Sequence, residues 1–192
     1  MKDYSSLNDL ELIGEARKGN EGAFATLITR YEQQVAKTVL GMLGNTPEAD
    51  DIGQETFVRF YRSLHNFRGD SGLGTYLTRI AINLSLNELK RRKRSRSLFF
   101  SANILEEKEF DQPDPEDVED SRDTKEIVQK ALQSLEPKFR SVVVLRLLDQ
   151  YSTKETAEIL DLPTGTVLSR LARAQTKLKS ILDKLIQLRN GK

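Results

Sequence analysis

The chain has 192 residues, enough for one ordinary domain or two small ones. Charged residues make up 31% and hydrophobic residues 38%, the mean hydropathy is −0.51, and no apolar run approaches the ~20 residues of a bilayer span. With no cysteine there is no disulfide, thiolate zinc site, iron–sulfur cluster or thiol nucleophile, and the single histidine, His65, lacks a second imidazole with which to hold a metal. No metal or cofactor is therefore expected, and because the start of the chain, Met1-Lys2-Asp3-Tyr4-Ser5-Ser6, carries no apolar targeting segment, the expected compartment is the cytoplasm. The net charge of +1 conceals segregation: residues 1–100 sum to +3, residues 101–124 to −8 and residues 125–192 to +6.

Ser5-Ser6-Leu7-Asn8-Asp9-Leu10-Glu11 supplies capping residues, and Leu7, Leu10 and Ile13 recur three apart, predicting a short helix that ends near Gly19. From Glu21 to Leu40, Phe24, Leu27, Ile28, Tyr31, Val35 and Val39 mark one face of a long amphipathic helix, which Gly41 and Gly44-Asn45 are expected to stop. Thr46-Pro47-Glu48 opens a third helix, with proline in its first turn and acids at the positive end of the dipole, running to about Leu64. A loop, Phe67-Arg68-Gly69-Asp70-Ser71-Gly72, precedes a fourth helix from about Gly74 to Arg94, with Leu77, Ile80, Ala81, Leu84 and Leu86 inward. That helix runs into Lys90-Arg91-Arg92-Lys93-Arg94-Ser95-Arg96, six cations in seven residues, a composition that calls for a polyanion or water.

Residues 97–123 contain Gln112-Pro113-Asp114-Pro115-Glu116-Asp117 and read as an acidic flexible linker without a core of its own. Helical periodicity returns at Thr124, with Ile127, Val128, Ala131, Leu132 and Leu135 in one helix and Phe139, Val142, Val143, Leu145 and Leu147 in the next. No strand alternation interrupts it. The predicted fold is all-α: a four-helix lobe over 1–96, the linker, and a four-helix lobe over 124–192.

Ser152-Thr153-Lys154-Glu155 has the form of a capping box, so a helix should begin there. It breaks at Asp161-Leu162-Pro163-Thr164-Gly165, and a long helix follows with Val167, Leu171, Ala174, Leu178 and Ile181 inward. Small Ala157 lets the two helices approach, and Val167 is spaced to plug the angle between them, as in helix-turn-helix units. The outward face of the second helix carries Thr166, Ser169, Arg170 and Arg173, hydroxyl and guanidinium groups suited to base edges and phosphates.

In the first lobe, Asp51, Gln54 and Glu55 lie three and four apart on one helix face of Ala49-Asp50-Asp51-Ile52-Gly53-Gln54-Glu55-Thr56-Phe57. This block, the Phe67-Arg68-Gly69-Asp70-Ser71 loop and the helix after it, Leu135-Glu136-Pro137-Lys138-Phe139-Arg140, and Gly165-Thr166-Val167-Leu168-Ser169-Arg170 together resemble bacterial RNA polymerase sigma factors of the extracytoplasmic-function (ECF) subfamily, over nearly the whole chain. The resemblance implies that Asp51, Gln54, Glu55 and Phe57 bind core RNA polymerase. It also implies that Phe67, Arg68, Ser71, Arg79 and Asn83 read the −10 promoter element as melted DNA, with a flipped base near Phe67 and Asn83. An extruded base needs an apolar wall and an amide that pairs with its edge. Lys90, Arg91 and Arg92 would grip the backbone there, and Thr166, Ser169, Arg170 and Arg173 would read the −35 duplex. By the same resemblance the partners are core polymerase, promoter DNA and an anti-sigma factor, in many cases membrane-bound, which would hold the protein at the inner membrane face.

The chain departs from the family pattern at Tyr76, where tryptophan is usual, at Gly53, where a larger apolar residue is common, and at Asp161, where the turn usually has glycine. Leu168 stands where the family often has Lys or Arg, so one −35 contact is not carried over. Promoter elements about 17 base pairs apart, as the resemblance implies, lie about 60 Å apart, whereas a relaxed 27-residue coil spans about 30 Å; the linker must be stretched in the working complex. Two other readings compete. A stand-alone helix-turn-helix regulator would bind a symmetric duplex site as a dimer. A metal-dependent nuclease would use Asp50, Asp51 and Glu55, for which a helix-dipole role suffices.

Overall fold

The computed structural model describes the backbone of residues 4–102 and 120–190 and the side chains of residues 4–95 and 124–189. The described residues form helices without strands: α1 (Asp9–Arg17), α2 (Glu21–Leu43), α3 (Pro47–Ser63), a 3-10 turn (Leu64–Asn66), α4 (Leu73–Ala102), α5 (Asp120–Gln133), α6 (Pro137–Val143) running into a π-helical turn (Val144–Leu148), α7 (Thr153–Leu160) and α8 (Thr164–Asn190). The body of the acidic linker, residues 103–119, lies outside the described residues.

Several helix starts have a local cause. At α1 the Asn8 side chain accepts from the Glu11 amide at 3.0 Å, while the Glu11 carboxylate accepts from the Asn8 amide at 2.8 Å. Pro47 occupies the first turn of α3 and Pro137 that of α6, where a missing N–H leaves no bond unmade. The stop expected at Gly41 does not occur. α2 continues through it, because Met42 and Leu43 bury fully into the core and Gly41 itself packs against Val144; the helix ends at Gly44, whose φ of 80° favours glycine. α4 likewise continues past Arg94 to Ala102.

The first lobe closes around an aromatic cluster. Phe60 is fully buried, with ring centroids of Phe24, Phe67 and Tyr76 at 5.9, 6.1 and 6.1 Å, and Leu12, Leu27, Val39, Leu77 and Ile82 complete the core. In the second lobe Leu132, Leu135, Phe139, Val143 and Ala174 form one cluster beneath α8, and Val142, Ala157 and Val167 form the plug of the helix-turn-helix. The expected capping box is present: Ser152 Oγ accepts from the Glu155 amide at 3.2 Å, and the Glu155 carboxylate accepts from the Ser152 amide at 2.8 Å. α7 then ends at Asp161, held in the left-handed region at φ 51°, ψ 55°. Replacing Ser152 by alanine removes one half of the box and should destabilise the protein by about 1 kcal/mol in urea unfolding, the usual contribution of such a cap.

The two lobes are not separate bodies. Val144, Leu145 and Ile159 of the second lobe are buried in the same apolar cluster as the core of the first.

Candidate nucleic-acid interface

On α8, Val167 is fully buried against Val142 and Ala157, which fixes the rotation of the helix and turns the residues on either side of it outward. Ser169 and Arg173 are exposed, Thr166 and Arg170 half-buried, and Ser169 Oγ donates to the Thr166 carbonyl at 3.1 Å. Neither Arg170 nor Arg173 has a carboxylate within ion-pair distance among the described residues, so both guanidinium groups keep their donors free for an incoming polyanion. Leu168 is 54% exposed on the same surface. Further along, Lys177 is engaged: its ammonium lies 2.8 Å from Glu136 and 4.8 Å from the Phe139 ring centroid, and Lys138 and Lys177 together hold the Glu136 carboxyl down to about 2.

On α3, Asp51 and Gln54 are exposed and Glu55 pairs with Arg59 at 2.9 Å, one helical turn away on the same face. Phe57 is half-buried and packs against the core. Below this helix the 67–71 loop is tied down at its base, where Arg17 donates to the Leu64 carbonyl at 3.0 Å and to the Phe67 carbonyl. Phe67 is 8% exposed, with the Tyr76 ring at 5.0 Å, while Tyr76 Oη donates to Ser63 Oγ at 3.0 Å. Arg68 and Asp70 are exposed and Ser71 is half-buried, beside Gly69 at φ 78°. Asn83 is exposed on α4.

The basic run is less free than its composition suggests. Arg91 and Arg92, three and four residues after Glu88, both pair with it, at 2.7 and 2.9 Å, and Arg92 also reaches Glu48 at 3.0 Å and Thr46 Oγ1 at 3.1 Å. The hydrogen bond from Arg91 leads the causes that lower the Glu88 pKa despite its burial. Lys90, Lys93 and Arg94 are exposed.

A set of polar contacts that sequence patterning missed joins the lobes. Gln34 Nε2 donates to Tyr151 Oη at 2.7 Å and to Thr78 Oγ1 at 3.1 Å, and the Thr78 and Tyr151 hydroxyls lie 2.9 Å apart. Thr38 Oγ1 donates to Asp149 Oδ2 at 2.8 Å, Lys37 donates to the Leu148 carbonyl, and Gln129 donates to the Leu40 carbonyl at 2.7 Å. Arg79 Nη2 donates to the Glu158 carbonyl of α7 at 2.8 Å. The available signals were small: a glycine inside a helix, and Thr38 within an otherwise apolar stripe between Val35 and Val39.

Two family models match the chain, "Sigma-70 region 2" over residues 27–95 and "Sigma-70, region 4" over residues 125–178. The chain is 35% identical over 190 residues to the ECF RNA polymerase sigma-E factor of Escherichia coli (strain K12), covering 94% of this chain and 97% of that protein. It is 32% identical over 183 residues to the ECF RNA polymerase sigma factor SigW of Bacillus subtilis (strain 168), covering 90% and 96%. Among solved structures it is similar to CnrH in complex with the cytosolic domain of CnrY, with a TM-score of 0.65 and 26% identity over 95% of this chain and 99% of that one. Both regions in one chain, matched at nearly full length, disfavour the stand-alone regulator. The chain belongs to the ECF sigma factors of the sigma-70 family, the proteins that direct RNA polymerase to specific promoters.

Proposed function

We propose that this sigma factor divides its work among three surfaces. Asp51, Gln54 and Glu55 of α3, with Phe57 behind them, dock on core RNA polymerase. The 67–71 loop, Arg79 and Asn83 of α4 handle the melted −10 element, with Lys90, Arg91 and Arg92 along its backbone. Thr166, Ser169, Arg170 and Arg173 of α8 read the −35 duplex. The observation that carries this reading is the α8 surface, where two guanidinium groups without a carboxylate partner among the described residues flank two hydroxyls on a helix locked by Val167. The protein contributes recognition and strand opening and leaves phosphodiester synthesis to the polymerase. Its domains divide at residues 96 and 124, the protein works in the cytoplasm, and an anti-sigma factor restrains it, in keeping with its likeness to CnrH, which was solved with the cytosolic domain of CnrY. Anchoring of that partner would hold the protein at the inner face of the membrane.

Gel filtration with bacterial core RNA polymerase tests the first surface. The wild-type chain should co-elute with the core and an Asp51/Gln54/Glu55 triple-alanine variant should not; co-elution of both would move the docking face elsewhere. Arg173→Ala tests the third. It should weaken initiation at a −35-dependent promoter by about 1–3 kcal/mol, the value of a good base contact, and leave core binding unchanged. Loss of core binding would reverse the lobe assignment.

A further inference from the structure

One side chain on the outward face of α8 is left without a role in the three surfaces proposed above. Leu168 is 54% exposed and joins none of the apolar clusters among the described residues. Its direction is set by its neighbour: Val167, fully buried against Val142 and Ala157, leaves Leu168 turned away from the helix-turn-helix core. A single exposed leucine is ordinary on a protein surface. What distinguishes this one is the set of residues around it.

Gly165, Leu168 and Ala172 follow one another at i, i+3 and i+7 and are all exposed, so they form one row along the helix. The row carries only a hydrogen one turn before Leu168 and a methyl group one turn after it, and the leucine stands above both. A Cβ at Gly165 would meet nothing within 4 Å and its φ is not positive, so no contact inside the fold calls for glycine there. Beside this row runs a second, Ser169 and Arg173, four apart and exposed. Ser169 Oγ directs its hydrogen at the Thr166 carbonyl, 3.1 Å away, and keeps lone pairs for an outside donor, while Arg173 has no carboxylate partner among the described residues. An apolar ridge thus lies against a polar, cationic one, and the unpaired guanidinium groups call for a polyanion as the surface that covers both.

The major groove of a duplex offers such a ridge one apolar group, the C5 methyl of thymine; every other group that distinguishes the bases there is a donor or an acceptor. We propose that Leu168 is a specificity-determining residue that packs on a thymine methyl group of the −35 element, so that this sigma factor prefers an A·T pair at the position the leucine covers. The low profile of Gly165 and Ala172 lets the helix sink far enough into the groove for that contact. A lysine or arginine at this position would seek a guanine or a phosphate, and leucine, which has no donor, can do neither. The inference rests on the assignment of α8 to the −35 duplex in the proposed function.

Holoenzyme assembled from core RNA polymerase and the full chain first selects promoters from a randomised duplex library. Each thymine of the enriched upstream block, on either strand, is then replaced singly by deoxyuridine, which removes the methyl group and keeps every hydrogen-bonding atom. One replacement should weaken promoter binding by about fourfold, the effect of returning one methyl group to water. Leu168→Ala should be indifferent to that replacement while responding to the others as the wild type does. Its urea unfolding should match the wild type, because the side chain lies outside the core. An enriched block without thymine, a wild type insensitive to every replacement, or an equal loss in wild type and Leu168→Ala overturns the contact. If no upstream block is enriched at all, the assignment of α8 to the −35 duplex fails, and the methyl contact falls with it.

Discussion

Replacing Arg140 by alanine is expected to destabilise the protein by about 3–5 kcal/mol, the largest effect of any charged residue in the second lobe. The side chain is 5% exposed and has no carboxylate partner among the described residues. It donates instead to the carbonyls of Met42, Gln133 and Leu135 and to the Gln133 side-chain oxygen. Met42 and Gln133 lie in the last turns of α2 and α5, where carbonyls lack intrahelical partners and the helix dipole is negative, so one fork satisfies acceptors from two helix ends. Burial draws the guanidinium down to about 10, still far enough above neutrality for it to stay charged. Alanine leaves these acceptors buried without a donor, and water can restore only part of what is lost. Arg140→Lys should recover less than half, since an ammonium cannot reproduce the planar fork. Urea unfolding monitored by circular dichroism measures both variants; a loss under 1 kcal/mol for alanine would mean that water fills the site without penalty.

The same residue marks where sequence reading stops. The helices themselves were legible: apolar periodicity marked α2, α4, α5, α6 and α8, capping and proline signals marked α1, α3 and α7, and the Ser152 box and the Val167 plug could be named in advance because their determinants lie within a few residues. Leu10, read with the α1 apolar set, is nevertheless 67% exposed. Contacts between distant segments have no such period. Arg140 sits in the run Phe139 to Leu145, where a cation reads as an interruption of the apolar pattern, and only the folded chain brings the end of α2 beside it. Gly41 misled for a related reason. Within a helix glycine signals either a stop or a close approach, and the atom that decides between them, Val144 Cγ2, is more than a hundred residues away. The pairing of Arg91 and Arg92 with Glu88 was different: spacings of three and four along one helix were present in the sequence, but the density of cations drew attention to an external polyanion instead. At the site, the faces of α3 and α8 were readable from local order, whereas the engagement of Arg79 by α7 was not.

Phe67 offers the sharpest separation of structural support from base contact in the proposed −10 surface. Its ring is 8% exposed, edge-on to Phe60 and Tyr76, and its carbonyl accepts from Arg17, so it anchors the start of the 67–71 loop in the core. Phe67→Ala opens a cavity in that cluster and should destabilise the protein by about 3 kcal/mol, near the lower end of the range for buried aromatics because a rim of the ring touches solvent. Phe67→Leu retains most of the apolar volume and should lose no more than about 1.5 kcal/mol. The two variants part in an initiation assay with core polymerase. A ring that serves as an apolar wall can be replaced by leucine, so Phe67→Leu should initiate close to wild type, while Phe67→Ala should fail at high temperature and recover on cooling as its fold is restored. A ring that stacks directly on a base would behave otherwise. Leucine has no π-face, and the loss of about 1–3 kcal/mol of stacking would lower open-complex formation by at least fivefold at every temperature, with the fold intact. The burial of the ring against Phe60 and Tyr76 favours the first outcome, since little of its surface is left open for a base to stack on.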